Sequence, residues 1–317
     1  MKSWAIESRQ ANVEPQLLEI EMPKAEAGSV LVEVKGSSLN PADLKVISGK
    51  DGASFLHDSK FPIRLGFDYA GVVSQIGADV SGFTVGQEVF GFLPYAGSTR
   101  QGAFSEYVAV PSAELALKPS SLSFAQSASL TTVGCTALQA FRDHGKLKPG
   151  QKVFINGASG GVGTMAVQIA KILGAEVWAA ASAKNLDYLK TLGADQALDY
   201  QSTPVEQVPG TFDIVFDIAS NAGFARCSSK LNPAGVYIAL LPSPLFITGW
   251  LRSLFSSKVC RFVIAKSKKE NLELLAQWAA EGKLRSNVEA SFNFNQVPEA
   301  VEALKKQSPR GKIAITF

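Results

Sequence analysis

The sequence predicts an α/β protein of two domains: a β-rich, barrel-like domain, then a doubly wound parallel sheet, with the end of the chain returning to the first domain. Three observations predict it. A chain of 317 residues is long for one hydrophobic core and comfortable for two. Short apolar runs before Pro119 are punctuated by Gly77, Gly82, Gly86, Gly97 and Gly102, the texture of a compact β domain. After Pro119 strand-like and helix-like segments alternate, as they do in a parallel sheet with crossover helices.

In chain order, Val30, Leu31, Val32 and Val34 make the first clear strand, and 70–73, 89–92 and 107–110 make others. Apolar residues recur at helical spacing over 122–142. A short apolar strand over 152–156 runs into glycines and then a helix, whose buried stripe is Ala166, Val167, Ile169, Ala170, Ile172 and Leu173 and whose stop is Gly174. Strands follow over 177–181, 212–216 and 236–240, with a helix over 185–192. Two amphipathic helices come next, one on Leu272, Leu275, Ala276 and Ala279 ending at Gly282, the other on Val297, Ala300, Val301 and Leu304. The run 312–317 alternates as an edge strand does. The expected domains are 1–118, 119–262 and a return segment 263–317. That discontinuous layout predicts a cleft between domains, a common place for a cofactor and its substrate.

Composition narrows the function. The apolar fraction of 46% against 19% charged residues excludes a disordered chain. A net charge of +3, scattered along the chain, calls for neither nucleic acid nor an anionic membrane as a partner. The densest basic stretch, 258–269, reads as a solvated helix edge or loop. Cys135, Cys227 and Cys260 are widely spaced and form no C-x-x-C pair, against both a disulfide framework and a zinc knuckle. The N-terminus lacks the apolar run of a signal peptide, and the longest apolar window, 236–250, is broken by Pro242 and Pro244 and too short for a bilayer. The expectation is a cytoplasmic protein with no integral membrane segment.

The sharpest signal is the passage from Asn156 through Gly157, Ala158, Ser159, Gly160, Gly161 and Val162 to Gly163, where a strand turns into a helix. Gly160 and Gly161 can take positive φ and bring backbone N–H groups to a diphosphate at the helix N-terminus, where the helix dipole favours an anion. Gly163 lets the helix pack closely. Strand, glycines, long helix and second strand occur in the order a dinucleotide-binding Rossmann unit requires. Ala158 departs from G-x-G-x-x-G at the first glycine, a change that a methyl group usually permits. Nineteen residues after Gly163 stands Ser182, where an NAD-binding unit carries Asp or Glu for the ribose 2′-OH. Ser182 and Lys184 would accept a 2′-phosphate, so NADP(H) is the expected cofactor. Lys184 as an ordinary surface lysine is the alternative.

Four strings carry a family resemblance: Ser37-Ser38-Leu39-Asn40-Pro41-Ala42-Asp43, then Leu65-Gly66-Phe67-Asp68-Tyr69-Ala70-Gly71, then the segment from Ala128 to Ala140, and finally Arg310-Gly311-Lys312-Ile313. In this order they resemble the medium-chain dehydrogenase/reductase superfamily, in its zinc-free quinone oxidoreductase and alkenal/enone reductase branch. The resemblance covers essentially the whole chain. It implies a GroES-like β-barrel catalytic domain beside the Rossmann domain. Zinc alcohol dehydrogenases of that family place Cys where this chain has Asn40 and His where it has Phe67, and their structural-zinc lobe would fall in 92–106, which has no Cys. A catalytic zinc with three protein ligands is therefore not expected.

The resemblance also assigns candidate roles. Asn40 would donate its amide to a substrate carbonyl or fix the nicotinamide ribose, or else serve as a turn residue before Pro41. Asp43 and Asp68 align with acidic family positions, with helix capping or hydrogen bonding as their expected duty. Thr136 aligns with a threonine on the nicotinamide side, or else is a mid-helix threonine satisfying its own backbone; Tyr200 aligns with a tyrosine beside the adenosine phosphate, with plain packing as the alternative; and Lys312 aligns with a looser cofactor contact. Leu240, closing its strand, completes the candidate cofactor set. Tyr69 and Tyr95 are candidate proton donors or stacking surfaces. The stretch 241–255 is either an apolar lid over the pocket or a homodimer contact. The expected activity is NADPH-dependent reduction of a small hydrophobic enone, alkenal or quinone. The alternatives are a metal-free reductase of another carbonyl substrate and a non-catalytic NADPH-binding protein.

Overall fold

The computed structural model describes residues 1–8, 13–50, 53–240, 243–306 and 309–317. Leu241 and Pro242, at the start of the apolar stretch singled out above, lie outside the described residues. The chain divides into two compact units, one of Met1–Cys135 with Lys266–Phe317 and one of Thr136–Ala265.

The first unit is built on the ten-residue strand Ser29–Ser38, whose apolar side chains are almost all buried. It pairs antiparallel with Asp68–Ile76, with Tyr107–Pro111 and with Lys312–Thr316, inside a seven-stranded sheet that also holds Val288–Asn293, Glu88–Phe92 and Leu115–Leu117. A smaller sheet joins Gln16–Glu19, Lys2–Ile6 and Ile63–Arg64. The end of the chain therefore does come back to the first unit, and the register decides what it brings. Ser38 lies opposite both Asp68 and Ala314, so Asp68 and the Lys312 end of the last strand meet across Ser29–Ser38. The core is formed by Val32, Val34, Phe67, Tyr69, Phe104, Ile313 and their neighbours.

The second unit is a six-stranded sheet in the order Gln196–Asp199, Glu176–Ala181, Lys152–Asn156, Phe212–Asp217, Leu231–Ala239, Val259–Phe262. All pairings are parallel. The first strand in sequence, Lys152–Asn156, lies between the second and the fourth, which makes its carboxyl end the topological switch point where such sheets bind ligands.

Three local expectations change. The helical pattern over 122–142 is two helices, Phe124–Ala128 and Thr131–Gln139, followed by a π turn at Ala140–His144. The first packs on Ser29–Ser38 and Asp68–Ile76, so the segment just after Pro119 folds with the first unit. The basic stretch 258–269 is not simply a solvated edge or loop, because Val259–Phe262 is the sixth strand of the parallel sheet. The Pro-rich stretch after Leu240 contains a helix, Pro244–Ser253: Ser243 Oγ accepts from the N–H of Phe246 at 3.1 Å, and Pro244 occupies the first turn, where its missing N–H does no harm.

Candidate functional site

On the second unit the glycine passage leads from Lys152–Asn156 into the twelve-residue helix Gly161–Ile172. Positive φ falls at Gly157, at 88°, and not at Gly160 or Gly161: Gly160 is extended, with φ −78° and ψ 178°, and Gly161 is already helical. The sharp turn thus comes three residues earlier than the spacing suggested. Ala158 is fully buried and gives its N–H to Ala180 O at 2.9 Å, so its methyl fits and its amide is taken. Ser159, Gly160, Gly161 and Val162 are half-buried. A Cβ on Gly160 would point into open space, whereas one on Gly163 would lie 2.4 Å from Gly157 O and 2.5 Å from the Ala158 carbonyl carbon. The loop is open where a diphosphate needs room and closed where the helix rests on it. The first N–H groups of an α-helix have no carbonyl within the helix to accept them, and Gly160 offers no capping side chain. These residues fit a dinucleotide's pyrophosphate.

Two side chains tie off the switch point behind that loop. Asn156 Nδ2 donates to Asp217 Oδ1 at 2.8 Å and to Asn221 Oδ1 at 3.0 Å. Asp217 Oδ2 accepts from the amides of Ala222 and Gly223 and from the Tyr237 hydroxyl at 2.9 Å. Sequence reasoning missed this network; the only hint was two polar residues ending adjacent apolar strands. At the end of Glu176–Ala181, Ser182 Oγ accepts from Asn185 Nδ2 at 3.2 Å, and the N–H of Tyr200 donates to Ala181 O at 3.1 Å. Ser182 and Tyr200 are therefore neighbours. Tyr200 and Lys184 are exposed, and Lys184 has no ion-pair partner among the described residues. Leu240 is half-buried just past the strand Leu231–Ala239.

The first unit holds a buried polar cluster centred on Asp68, which has no exposed surface. Its Oδ2 accepts from Ser38 Oγ at 2.6 Å, Asn40 Nδ2 at 2.8 Å and Lys312 Nζ at 3.0 Å. Its Oδ1 accepts from Thr131 Oγ1 at 2.8 Å, from the Thr132 amide and from the Thr132 hydroxyl. Lys312, only 4% exposed, also donates to Leu39 O and Asn40 Oδ1, both at 2.6 Å. Asp43 caps the helix Pro41–Ser48, accepting from the amides of Asn40 at 2.7 Å and Gly66 at 3.2 Å. Asn40 thus spans Lys312 and Asp68 and joins the two ends of the chain.

One buried cation faces two buried carboxylates. Burial opposes the charge on Asp68, but Lys312 and the hydrogen bonds from Ser38, Thr132 and Asn40 outweigh it and hold its pKa below the ordinary 3.8. Asp43 loses that competition: burial dominates, the backbone amides and more distant Lys312 offset only part of it, and its pKa is pushed up to about 7. The folded state therefore binds a proton at Asp43 more tightly than the unfolded chain, so this group's contribution to stability falls as pH rises from 3.8 to about 7. Denaturation of the parent and Asp43→Asn proteins across that window is expected to show the parent losing ground to the variant as pH rises. A constant difference would mean that Asp43 is ionised throughout.

The sequence-predicted residues separate on this frame. Asn40 and Lys312 come together, with Thr131 and Thr132 as partners that the sequence did not single out. Thr136, one helical turn on, is buried and belongs to the second unit. Tyr69, expected beside the substrate, is a core side chain with no exposed surface, its hydroxyl without a hydrogen-bond partner among the described residues. Successive strand residues point to opposite faces, so the register that aims Asp68 into the cluster aims Tyr69 away from it. Tyr95 is better placed. Its ring stacks on Phe67 at 4.2 Å and its hydroxyl reaches Thr132 Oγ1 at 3.4 Å, while burial raises its pKa well above 10 and keeps it protonated.

Comparison with known proteins agrees with both units. Residues 26–120 match the alcohol dehydrogenase GroES-like domain, and residues 192–315 match the zinc-binding dehydrogenase domain. The chain is 32% identical to 2-methylene-furan-3-one reductase of Solanum lycopersicum, over 99% of this chain and 79% of that one. It is 31% identical to the chloroplastic NADPH-dependent alkenal/one oxidoreductase of Arabidopsis thaliana, with the same coverage. The solved structure of the quinone oxidoreductase from Coxiella burnetii superposes with a TM-score of 0.91 at 27% identity, over 100% of this chain and 99% of that one. A parallel sheet with a glycine-loop switch point, a GroES-like unit closed by the returning C-terminal strand, and these relatives place the chain in the medium-chain dehydrogenase/reductase superfamily, among the oxidoreductases of the quinone oxidoreductase and alkenal/enone reductase branch.

Proposed function

We propose that the protein is an NADPH-dependent reductase of small hydrophobic enones, alkenals or quinones that works without zinc. The observation that carries this is Lys312. Its ammonium, bonded to Leu39 O, Asn40 Oδ1 and Asp68 Oδ2, stands beside Asn40 and Asp68, the region where the family's metal enzymes keep zinc ligands. The donor set fits zinc poorly: an amide already committed to Lys312 and Asp68, the phenyl ring of Phe67, and a carboxylate already holding six hydrogen bonds. A second cation there would meet the charge of the first.

When bound, the reduced nicotinamide supplies the hydride, which leaves the protein to hold it, orient the acceptor and deliver a proton. Gly160, Gly161, Val162 and Gly163 would receive the pyrophosphate, with Ser159 at the loop's crest, and Ser182, Lys184 and Tyr200 the adenosine end. The open space over Gly160 supports binding of a dinucleotide, and the absence of a carboxylate between Val177 and Asn185 supports NADPH over NADH. Asn40 acts through the Asp68–Lys312 network, and Thr136 and Leu240 stand as cofactor-facing candidates. Tyr95, protonated and polar at one end, replaces Tyr69 as the proton donor. The three free, buried cysteines support a reducing compartment, for which we take the cytoplasm. No helix among the described residues is long and apolar enough to cross a membrane.

NADPH oxidation followed against enones, alkenals and quinones tests the assignment, and tight NADPH binding with no turnover on any acceptor would favour a binding protein instead. Lys184→Ala is expected to weaken NADPH roughly fivefold, the scale of an exposed ion pair, and to leave NADH unchanged. Equal losses for both nucleotides would remove Lys184 from the phosphate site.

A further inference from the structure

Tyr95, Thr132 and Asp68 form a chain of hydrogen bonds inside the first unit, and its direction is fixed. An ionised carboxylate only accepts, so the single proton of the Thr132 hydroxyl goes to Asp68 Oδ1. The lone pairs left on Thr132 Oγ1 accept from the Tyr95 hydroxyl at 3.4 Å, a length at which the phenol is held without being locked. Proton delivery reverses what Tyr95 needs. Once an enone has taken up hydride at its β-carbon and become an enolate, the Tyr95 O–H bond breaks. The proton forms the C–H bond at the α-carbon, and the electron pair stays on the Tyr95 oxygen. A phenolate there is opposed by burial and by the charges of Asp68 and Asp43, while Lys312 is held on the far oxygen of Asp68. It requires a donor, and the Thr132 hydroxyl is already within reach.

Thr131 lets that hydroxyl leave Asp68. Both threonines are buried at the start of the helix Thr131–Gln139, and the single proton of Thr131 has two acceptors, Asp68 Oδ1 at 2.8 Å and Ala128 O at 2.9 Å. While Thr132 donates to Asp68, Thr131 is at liberty to serve the carbonyl. When Thr132 turns away, Thr131 and the Thr132 amide still donate to Oδ1, so the buried carboxylate keeps hydrogen bonds on both oxygens in either state. We propose that Thr132 is the positioning residue of proton delivery, a hydroxyl rotor that accepts from Tyr95 as a phenol and donates to it as a phenolate. Water returns the proton to Tyr95 after the product leaves, and the rotor turns back. The inference rests on the reading of Tyr95 as the proton donor of the reductase proposed above.

Thr132→Val keeps the shape of the side chain and removes the hydroxyl. It is expected to lower kcat for an enone at least about tenfold. KM should stay within about twofold, the mark of an interaction made only in the transition state. Thr132→Ser should restore the parental rate, and Thr132→Ala carries the same test if valine prevents folding. Placed on Tyr95→Phe, Thr132→Val should lower the rate no further, because the rotor then has nothing to serve. A fluorinated tyrosine introduced at position 95 of the full chain gives a readout that needs no turnover. Its ionisation, followed by fluorine NMR against pH, should move up by about one pH unit in Thr132→Val, the same tenfold, and stay in place in Thr132→Ser. An ionisation that does not move in Thr132→Val, or a loss of rate that persists in full on Tyr95→Phe, overturns the proposal. If the ionisation moves and the parent reduces no enone, the coupling of Thr132 to Tyr95 stands and the reductase reading falls.

Discussion

Asp68→Asn is expected to destabilise the protein by about 3–5 kcal/mol, the scale for removing one partner of a buried ion pair. The charge on Lys312, 4% exposed and held at 3.0 Å from Asp68, would lose its counter-ion while remaining out of water. An amide also presents N–H where hydroxyls and an ammonium already donate, so on one side of the side chain a donor would face a donor. Asp43 provides an internal check: with Asp68 neutral, Lys312 has only Asp43 to face, and the Asp43 pKa should fall from about 7. Between pH 3.8 and about 7 the loss on Asp68→Asn should therefore be greater at the acid end, where Asp43 is protonated, and it should shrink below 3.8 as Asp68 itself takes up a proton. Chemical denaturation of parent, Asp68→Asn, Lys312→Met and the double variant measures it. A double variant more stable than Asp68→Asn alone is expected, because the stranded charge is gone. Additive losses would mean that the two groups act independently.

The second large effect is expected at Gly163. A Cβ there would lie 2.4 Å from Gly157 O and 2.6 Å from Ala158 Cα, both backbone atoms that no rotamer change can move. Gly163→Ala must shift either the loop or the helix Gly161–Ile172. Overpacking of this kind costs about 1–3 kcal/mol, and it moves the amides offered to the pyrophosphate. NADPH affinity should fall at least about tenfold. Gly160→Ala, whose Cβ meets open space, should leave the melting temperature unchanged and weaken NADPH only by occupying the ligand's room. Titration of nucleotide fluorescence beside thermal melting separates the two effects. Gly163→Ala with parental affinity would show that the close approach is dispensable.

Much of this was legible in the sequence because it is local or periodic. The helix Gly161–Ile172 shows its apolar period, and 312–317 reads correctly as a strand but wrongly as an edge: Lys312–Thr316 is flanked by Val288–Asn293 and Ser29–Ser38, and its first four residues are all buried. What escaped is set by tertiary structure. The Asp68–Lys312 pair is 244 residues apart and exists only because both strands flank Ser29–Ser38. Thr131 and Thr132 sit beside Thr136 in sequence, and only the fold shows that they are the ones turned towards Asp68. Tyr69 was misplaced by its nearness to Asp68; strand parity sends neighbouring residues to opposite faces. The strand Val259–Phe262 was hidden in a basic run because an edge strand needs few buried side chains, here chiefly Cys260. The helix Pro244–Ser253 was masked by its prolines, although Ser243 before Pro244 is a sound start signal.

The measurement that bears most directly on the account is single-enzyme turnover of NADPH with an enone, using protein dialysed against a strong chelator and assayed for metal content. Saturable NADPH oxidation at the same rate before and after chelation, with no stoichiometric zinc, is the predicted result. Activity that disappears on chelation and returns with zinc would contradict it.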